Sequence, residues 1–109
     1  LAANGILGFE TALSLVLTYL VKPGHLSLED VVSKMCVNPS KMLNINKGTI
    51  EISKTADIIL VDLSKQYTVD IHQFESKSNN SPYHGYELEG MVTETIVGGR
   101  VVMREGKIC

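Results

Sequence analysis

Three histidines, two cysteines and a pair of adjacent glycines are the residues from which this chain would build chemistry. His25, His72 and His84 offer imidazoles, and a zinc ion needs three or four donors converging at about 2 Å. Their spacing is irregular: no two stand four apart, His25 falls between two helical patterns, and His84 lies in a Pro/Gly-rich stretch. They read as solvated side chains. Cys36 sits beside Met35 on the apolar face of a helical pattern with no histidine near it in sequence to draw off its proton, so it reads as a small core residue. Gly98-Gly99 has neither the following helix nor the lysine that a phosphate loop requires, and a hairpin turn explains it. Lys54, Lys65 and Lys77 read as solvated charges. Asn4-Gly5 and Gly8 precede a helical pattern, and by residue type alone these glycines permit tight turns that lead into it.

The elements that must position these groups fit in one modest unit of 109 residues. Hydrophobic residues make up 44% and charged residues 20%, as in an ordinary globular protein, and a net charge of -2 provides no basic field for nucleic acid. Cys36 and Cys109 are far apart and read as reduced thiols of a cytoplasmic protein. The most apolar stretch, Phe9 to Val21, is broken by Glu10, Thr11, Ser14 and Thr18 and falls short of the roughly 20 apolar residues of a membrane span. No basic segment precedes it, so no secretory signal is expected here, and the opening Leu1 in place of Met suggests a start partway through a longer protein.

Within Phe9–Val21, Phe9, Leu13, Val16, Leu17 and Leu20 recur at helical spacing and predict a helix covered on most sides. Lys22-Pro23-Gly24 stops it. Ser27 with Asp30 forms a capping-box pattern, and Leu28, Val31, Val32 and Met35 predict the inner face of a second helix. Asn38-Pro39 reads as the cap and first position of a short third helix to about Leu43. The period then changes to two. Thr49–Ile52 alternates, and Ile58–Val61 predicts a strand buried on both faces. Residues 65–86 are polar and predict a long excursion, and Val92–Val97 and Arg100–Met103 bracket the glycine hairpin. So small a sheet leaves a face and its edges bare, so its partners are expected outside the sequence, and strand edges are expected to pair copies into a homo-oligomer.

Several segments, in order, resemble the C-terminal part of dihydroorotases. Gly5-Ile6-Leu7-Gly8-Phe9-Glu10-Thr11-Ala12-Leu13 is similar to that family's glycine loop and helix start. Asn38-Pro39-Ser40-Lys41, Gly48, Ala56-Asp57 with the apolar run to Asp62, Ser76-Lys77-Ser78 with Asn80-Ser81-Pro82-Tyr83, and Thr95–Val102 match later segments. The Ala-Asp strand and the Gly-Gly-Arg hairpin are shared by amidohydrolases at large, including dihydropyrimidinases and allantoinases. The Gly-Phe-Glu-Thr-Ala start and the Ser-Lys-Ser to Pro-Tyr stretch are narrower. Ala3, Asn4 and Ser53 depart from the frequent Pro, Phe and Gly.

The resemblance implies an α+β piece: the last helices and substrate loop of a metal-dependent (β/α)8 barrel over 1–46, then C-terminal strands of a small β-sandwich over 47–109. It implies that Asn4 and Gly5 lie over the substrate and offer backbone N–H groups to the carboxylate and ring amide of dihydroorotate. The implied reaction is reversible hydrolysis of that cyclic amide to carbamoyl aspartate in pyrimidine synthesis, with zinc activating a water and a carboxylate moving the proton. The family's His-x-His pair, bridging lysine and catalytic aspartate have no counterpart here, so this chain is expected to bind no zinc and to be inactive alone. Another cyclic amidohydrolase and a non-catalytic dihydroorotase-like scaffold are the alternatives. No membrane or nucleic-acid partner is expected.

Overall fold

The computed structural model describes residues 4–109, so the departure at Ala3 and the opening Leu1-Ala2 lie outside the described residues. Helices come first and antiparallel strands follow, an α+β arrangement. Helix α1 (Ala12–Val16) runs on through a wide π-helical turn, Leu17–Val21, whose end is marked by the Lys22 N–H reaching five residues back to the Leu17 carbonyl. Helix α2 (Leu28–Val32) starts in the expected capping box: the Ser27 hydroxyl accepts the Asp30 N–H at 3.0 Å, and the Asp30 carboxylate accepts the Ser27 N–H at 2.9 Å. The latter hydrogen bond, more than any other cause, holds the Asp30 carboxyl below its ordinary acidity range.

The expected third helix forms, but Asn38 does not cap it. A π-helical turn, Ser33–Val37, joins α2 to α3 (Asn38–Met42), and the backbone at Val37 and Asn38 is fully helical. Proline 39 explains the joint. It has no N–H, and its ring would press on the carbonyl four residues back, so the helix passes through it by widening to bonds that reach five back. The true stop is Asn44, left-handed at φ 53, with Ile45 N–H to Ser40 carbonyl at 3.0 Å and Asn44 N–H to Lys41 carbonyl at 3.1 Å. That pattern is a Schellman cap with asparagine in the usual glycine place.

The sheet has four strands in the order β1-β2-β3-β4, all antiparallel: β1 (Ile58–Thr68), β2 (Glu87–Val97), β3 (Arg100–Arg104) and β4 (Lys107–Ile108). The glycine hairpin forms as expected, Val97 facing Arg100. Asp57 finishes that turn: its carboxylate accepts the Gly98 N–H at 2.8 Å, the Gly99 N–H goes to the Ala56 carbonyl at 3.0 Å, and Lys47 pairs with Asp57 from the other side. The Ala-Asp and Gly-Gly motifs are therefore one structural unit.

Three expectations fail here. Thr49–Ile52 forms no strand: the chain turns at Ser53, left-handed at φ 69, because no neighbouring strand takes up its backbone groups, and Ile50 and Ile52 stand 83% and 98% exposed. Strand β1 is not buried on both faces but is a sheet edge, and it is longer than expected, reaching Thr68. Its Ile59, Leu60 and Leu63 are nearly half exposed. Cys36 is exposed, as are Leu28, Val32 and Met35, leaving only Val31 of the expected inner face buried.

What positions the rest is the crossing of α1 over β2. The Ser14 hydroxyl, buried, donates to the Gly90 carbonyl at 2.6 Å, and Thr18 accepts the Glu89 N–H at 2.9 Å while donating to the Ser14 carbonyl at 2.7 Å. Lys22 pairs with the Glu89 carboxylate. A Cβ on Gly90, whose φ is 98, would stand 2.6 Å from Leu17 Cδ1, so only glycine lets the helix come this close. Among the described residues the buried apolar ones are Leu17, Val31, Val69 and Leu88. Thus the helix docks by its hydroxyls, and Phe9, Tyr19 and Leu20 of the apolar stripe point into open space.

Candidate functional site

The loop that leads into α1 carries Asn4 and Gly5, the positions expected to lie over a substrate. Asn4, Gly5 and Ile6 are exposed, Gly5 is left-handed at φ 78, and among the described residues, its chain neighbours aside, nothing lies within 4 Å of where a Cβ on Gly5 would project. The Leu7 N–H goes to the Asn80 carbonyl at 2.8 Å, while the Gly5 and Ile6 N–H groups find no acceptor among the described residues. Gly8 closes the loop by accepting the Thr11 and Ala12 N–H groups at 3.3 and 2.9 Å. Thr11 stands at the cap position, but its hydroxyl does not cap the helix; it is buried without a partner among the described residues.

Residues 69–86 hold this loop from the other side. The Asn80 amide donates to the Gly5 carbonyl at 2.5 Å, and the Glu75 N–H donates to the Glu10 carboxylate at 3.3 Å. The excursion is anchored at its base by buried Val69, whose N–H goes to the Tyr86 carbonyl and whose carbonyl accepts the Gly85 N–H, both at 2.9 Å. Sequence reasoning singled out Asn4 and Gly5 but missed Asn80, although the Asn80-Ser81-Pro82 stretch was visible as a motif. The signal that it touches Gly5 exists only in the folded chain.

The other candidates fall elsewhere. His25, His72 and His84 are all exposed. His72 and His84 do meet, edge to face with ring centroids 5.9 Å apart, and the Asp70 carboxylate lies 4.0 Å from His84 Nδ1. Among the described residues no three His, Cys, Asp or Glu side chains come together in a way that would hold a metal ion, so the donors present do not fit a zinc site. Lys54 and Lys65 are not free charges: Lys54 binds Glu51 at 3.0 Å and Thr49 at 2.7 Å, and Lys65 binds Glu105 at 2.8 Å. The Glu105 contact raises the Lys65 ammonium above its ordinary value, and the hydroxyl of Thr49 with Lys54 lowers Glu51. Asp62 is lowered chiefly by the Ser64 N–H, in a turn that loops Leu63, Ser64 and Lys65 out opposite the single Gly90. A cavity of about 420 Å³ between α1 and the β1–β2 pair, lined by Thr18, Lys22, Gln66 and Glu87 among others, contains no residue of the loop. No described helix is long and apolar enough to cross a membrane.

Among the described residues the loop presents backbone N–H groups without an intrachain acceptor, beside the contacts from Asn80 and Glu75 that hold it. Comparison with known proteins agrees in order and extent. The chain is 61% identical over 105 residues to a dihydroorotase of Acetivibrio thermocellus and 59% identical to one of Ruminiclostridium cellulolyticum, in each case over 96% of this chain. It spans about a quarter of their length, 25% and 24%. Among solved structures, the L-hydantoinase (dihydropyrimidinase) of Arthrobacter aurescens matches with a TM-score of 0.94 and 40% identity, over 99% of this chain and 24% of that one. The family model for amidohydrolases matches residues 2–102. With the loop, the helices and the Gly98-Gly99 turn inside that match, the chain belongs to the amidohydrolase family.

Proposed function

We propose that the protein containing this chain is a dihydroorotase, which reversibly hydrolyses the cyclic amide of dihydroorotate to carbamoyl aspartate in pyrimidine synthesis. The observation that carries this reading is the 61% identity to a curated dihydroorotase across almost the whole chain. The open loop supports it: Gly5 and Ile6 present N–H groups with no acceptor among the described residues, as a ring bearing a carboxylate and amide carbonyls would use. In this reading residues 1–46 belong to the barrel and supply its roof over the substrate, and 47–109 belong to the accompanying sandwich. Zinc is assigned to the intact protein, in parts outside this chain, because the donors here do not fit it. The work of this chain is binding and orientation, in a cytoplasmic enzyme.

A second reading, a dihydropyrimidinase or hydantoinase, is favoured by the 0.94 TM-score to the Arthrobacter enzyme. The two differ in one chemical group, the ring carboxylate that dihydroorotate has and dihydrouracil lacks. Steady-state rates of the intact protein on dihydroorotate, dihydrouracil, hydantoin and allantoin separate them. Dihydroorotate is expected to be preferred by at least about a hundredfold in kcat/KM, since losing a charge-assisted contact at a buried site costs roughly 3 kcal/mol. Preference for an uncharged ring would reject the proposal.

A further inference from the structure

We infer that Asn80 is a positioning residue for the substrate loop, holding Gly5 and Ile6 in the binding geometry without touching the substrate itself. The inference rests on the reading of Asn4-Gly5 as the substrate loop. Asn80 grips the loop twice, its amide donating to the Gly5 carbonyl at 2.5 Å and its backbone carbonyl accepting the Leu7 N–H at 2.8 Å. Between those two bonds the Gly5–Ile6 peptide has little freedom to rotate, so the direction of the Ile6 N–H, which shares a plane with the held Gly5 carbonyl, is fixed and the Gly5 N–H next to it is restrained. Gly5 has no side chain to lock its own backbone, and a left-handed glycine visits many other conformations when unrestrained. An external clamp is what such a loop needs if it is to bind a ring without paying to order itself.

The clamp is itself anchored. The Asn80 N–H bonds the Ser78 hydroxyl at 3.2 Å, and the excursion returns to Tyr86, one residue before β2 begins, where Tyr83 and Tyr86 pack edge to face at 5.5 Å. Strand β2 also seats α1, through Ser14 and Thr18. Both ends of the loop therefore refer to the same strand: the helix after Gly8 directly, and Gly5 through Asn80. A displacement of either would misaim the donors.

The test uses the intact enzyme with Asn80→Ala, and with Asn80→Asp, which keeps the shape but at neutral pH lacks the donor. KM is expected to rise about fivefold to tenfold in both, the cost of one hydrogen bond, with kcat within about twofold of wild type. In Asn80→Asp the ratio of mutant to wild-type KM should shrink as pH falls toward about 4, because a protonated carboxyl again donates to the Gly5 carbonyl. Lys77→Ala, on the same excursion, should leave KM unchanged. Hydrogen exchange of a peptide spanning residues 4–10 should quicken in both Asn80 variants, a readout that needs no activity. The inference is overturned by unchanged KM and exchange, or by kcat, KM and melting temperature failing together without rescue at low pH. If the intact protein prefers a different cyclic amide, the function proposal falls, and the same KM comparison is made on that substrate.

Discussion

Gly90 and Ser14 determine how close a helix comes to a strand, and neither carries chemistry. Replacing Gly90 with alanine puts a Cβ 2.6 Å from Leu17 Cδ1 at a backbone angle of φ 98, combining overpacking with left-handed strain. Gly90→Ala is expected to destabilise the intact protein by about 2 to 4 kcal/mol in chemical denaturation, and trimming Leu17 in addition should recover only the overpacking share. A loss below about 0.5 kcal/mol would mean that the helix is not seated as described. This contact was illegible in the sequence. Ser14 and Thr18 looked like interruptions of an apolar stripe, since periodicity weighs residues by hydrophobicity and cannot register a hydroxyl that meets a strand backbone. Ser53 shows the converse. Its departure from the family's usual turn glycine was visible, and the structure confirms a left-handed residue there, at φ 69.

At the scale of elements, what could be read were local rules with their own partners in the chain. The Ser27–Asp30 box, the stop after Val21 and the Gly98-Gly99 hairpin all formed, because each needs only residues a few positions apart. Thr49–Ile52 failed because a strand is defined by a neighbour and none pairs with it among the described residues, and the double burial of β1 failed because β1 has a partner, β2, on one side only. The Asp57 turn gives an electrostatic check. Its carboxyl is lowered first by the Lys47 ammonium and then by the Gly98 N–H, so the folded form holds its proton less tightly than the unfolded chain. A lowered carboxyl contributes stability above the ordinary aspartate value of about 4 and loses it as pH falls through the folded value. Asp57→Asn should therefore flatten the fall in denaturation midpoint of the intact protein between about pH 5 and 3. An equally steep fall in the variant would show that the turn does not use the charge.

The molecule as a whole exposes what a complete core would hide. Phe9, Met42, Ile50 and Ile52 are at least 83% exposed, and β1 offers an edge with Ile59, Leu60 and Leu63 open. Four buried apolar side chains among the described residues are few for a chain of this length, which spans a quarter of its relatives. We propose that copies of the isolated chain pair through that edge, and light scattering should show dimers or larger species; a strictly monomeric, cooperatively folded chain would count against it. The order of segments and their place in a larger fold were legible from motifs, but which apolar faces stayed uncovered was not, since burial depends on segments the sequence does not contain. We propose that this chain roofs and aims a pocket whose reactive centre is built elsewhere. Dihydroorotate hydrolysis by the purified 109-residue chain, with zinc supplied, tests it most directly: no turnover above background is expected, and steady turnover by this chain alone would contradict it.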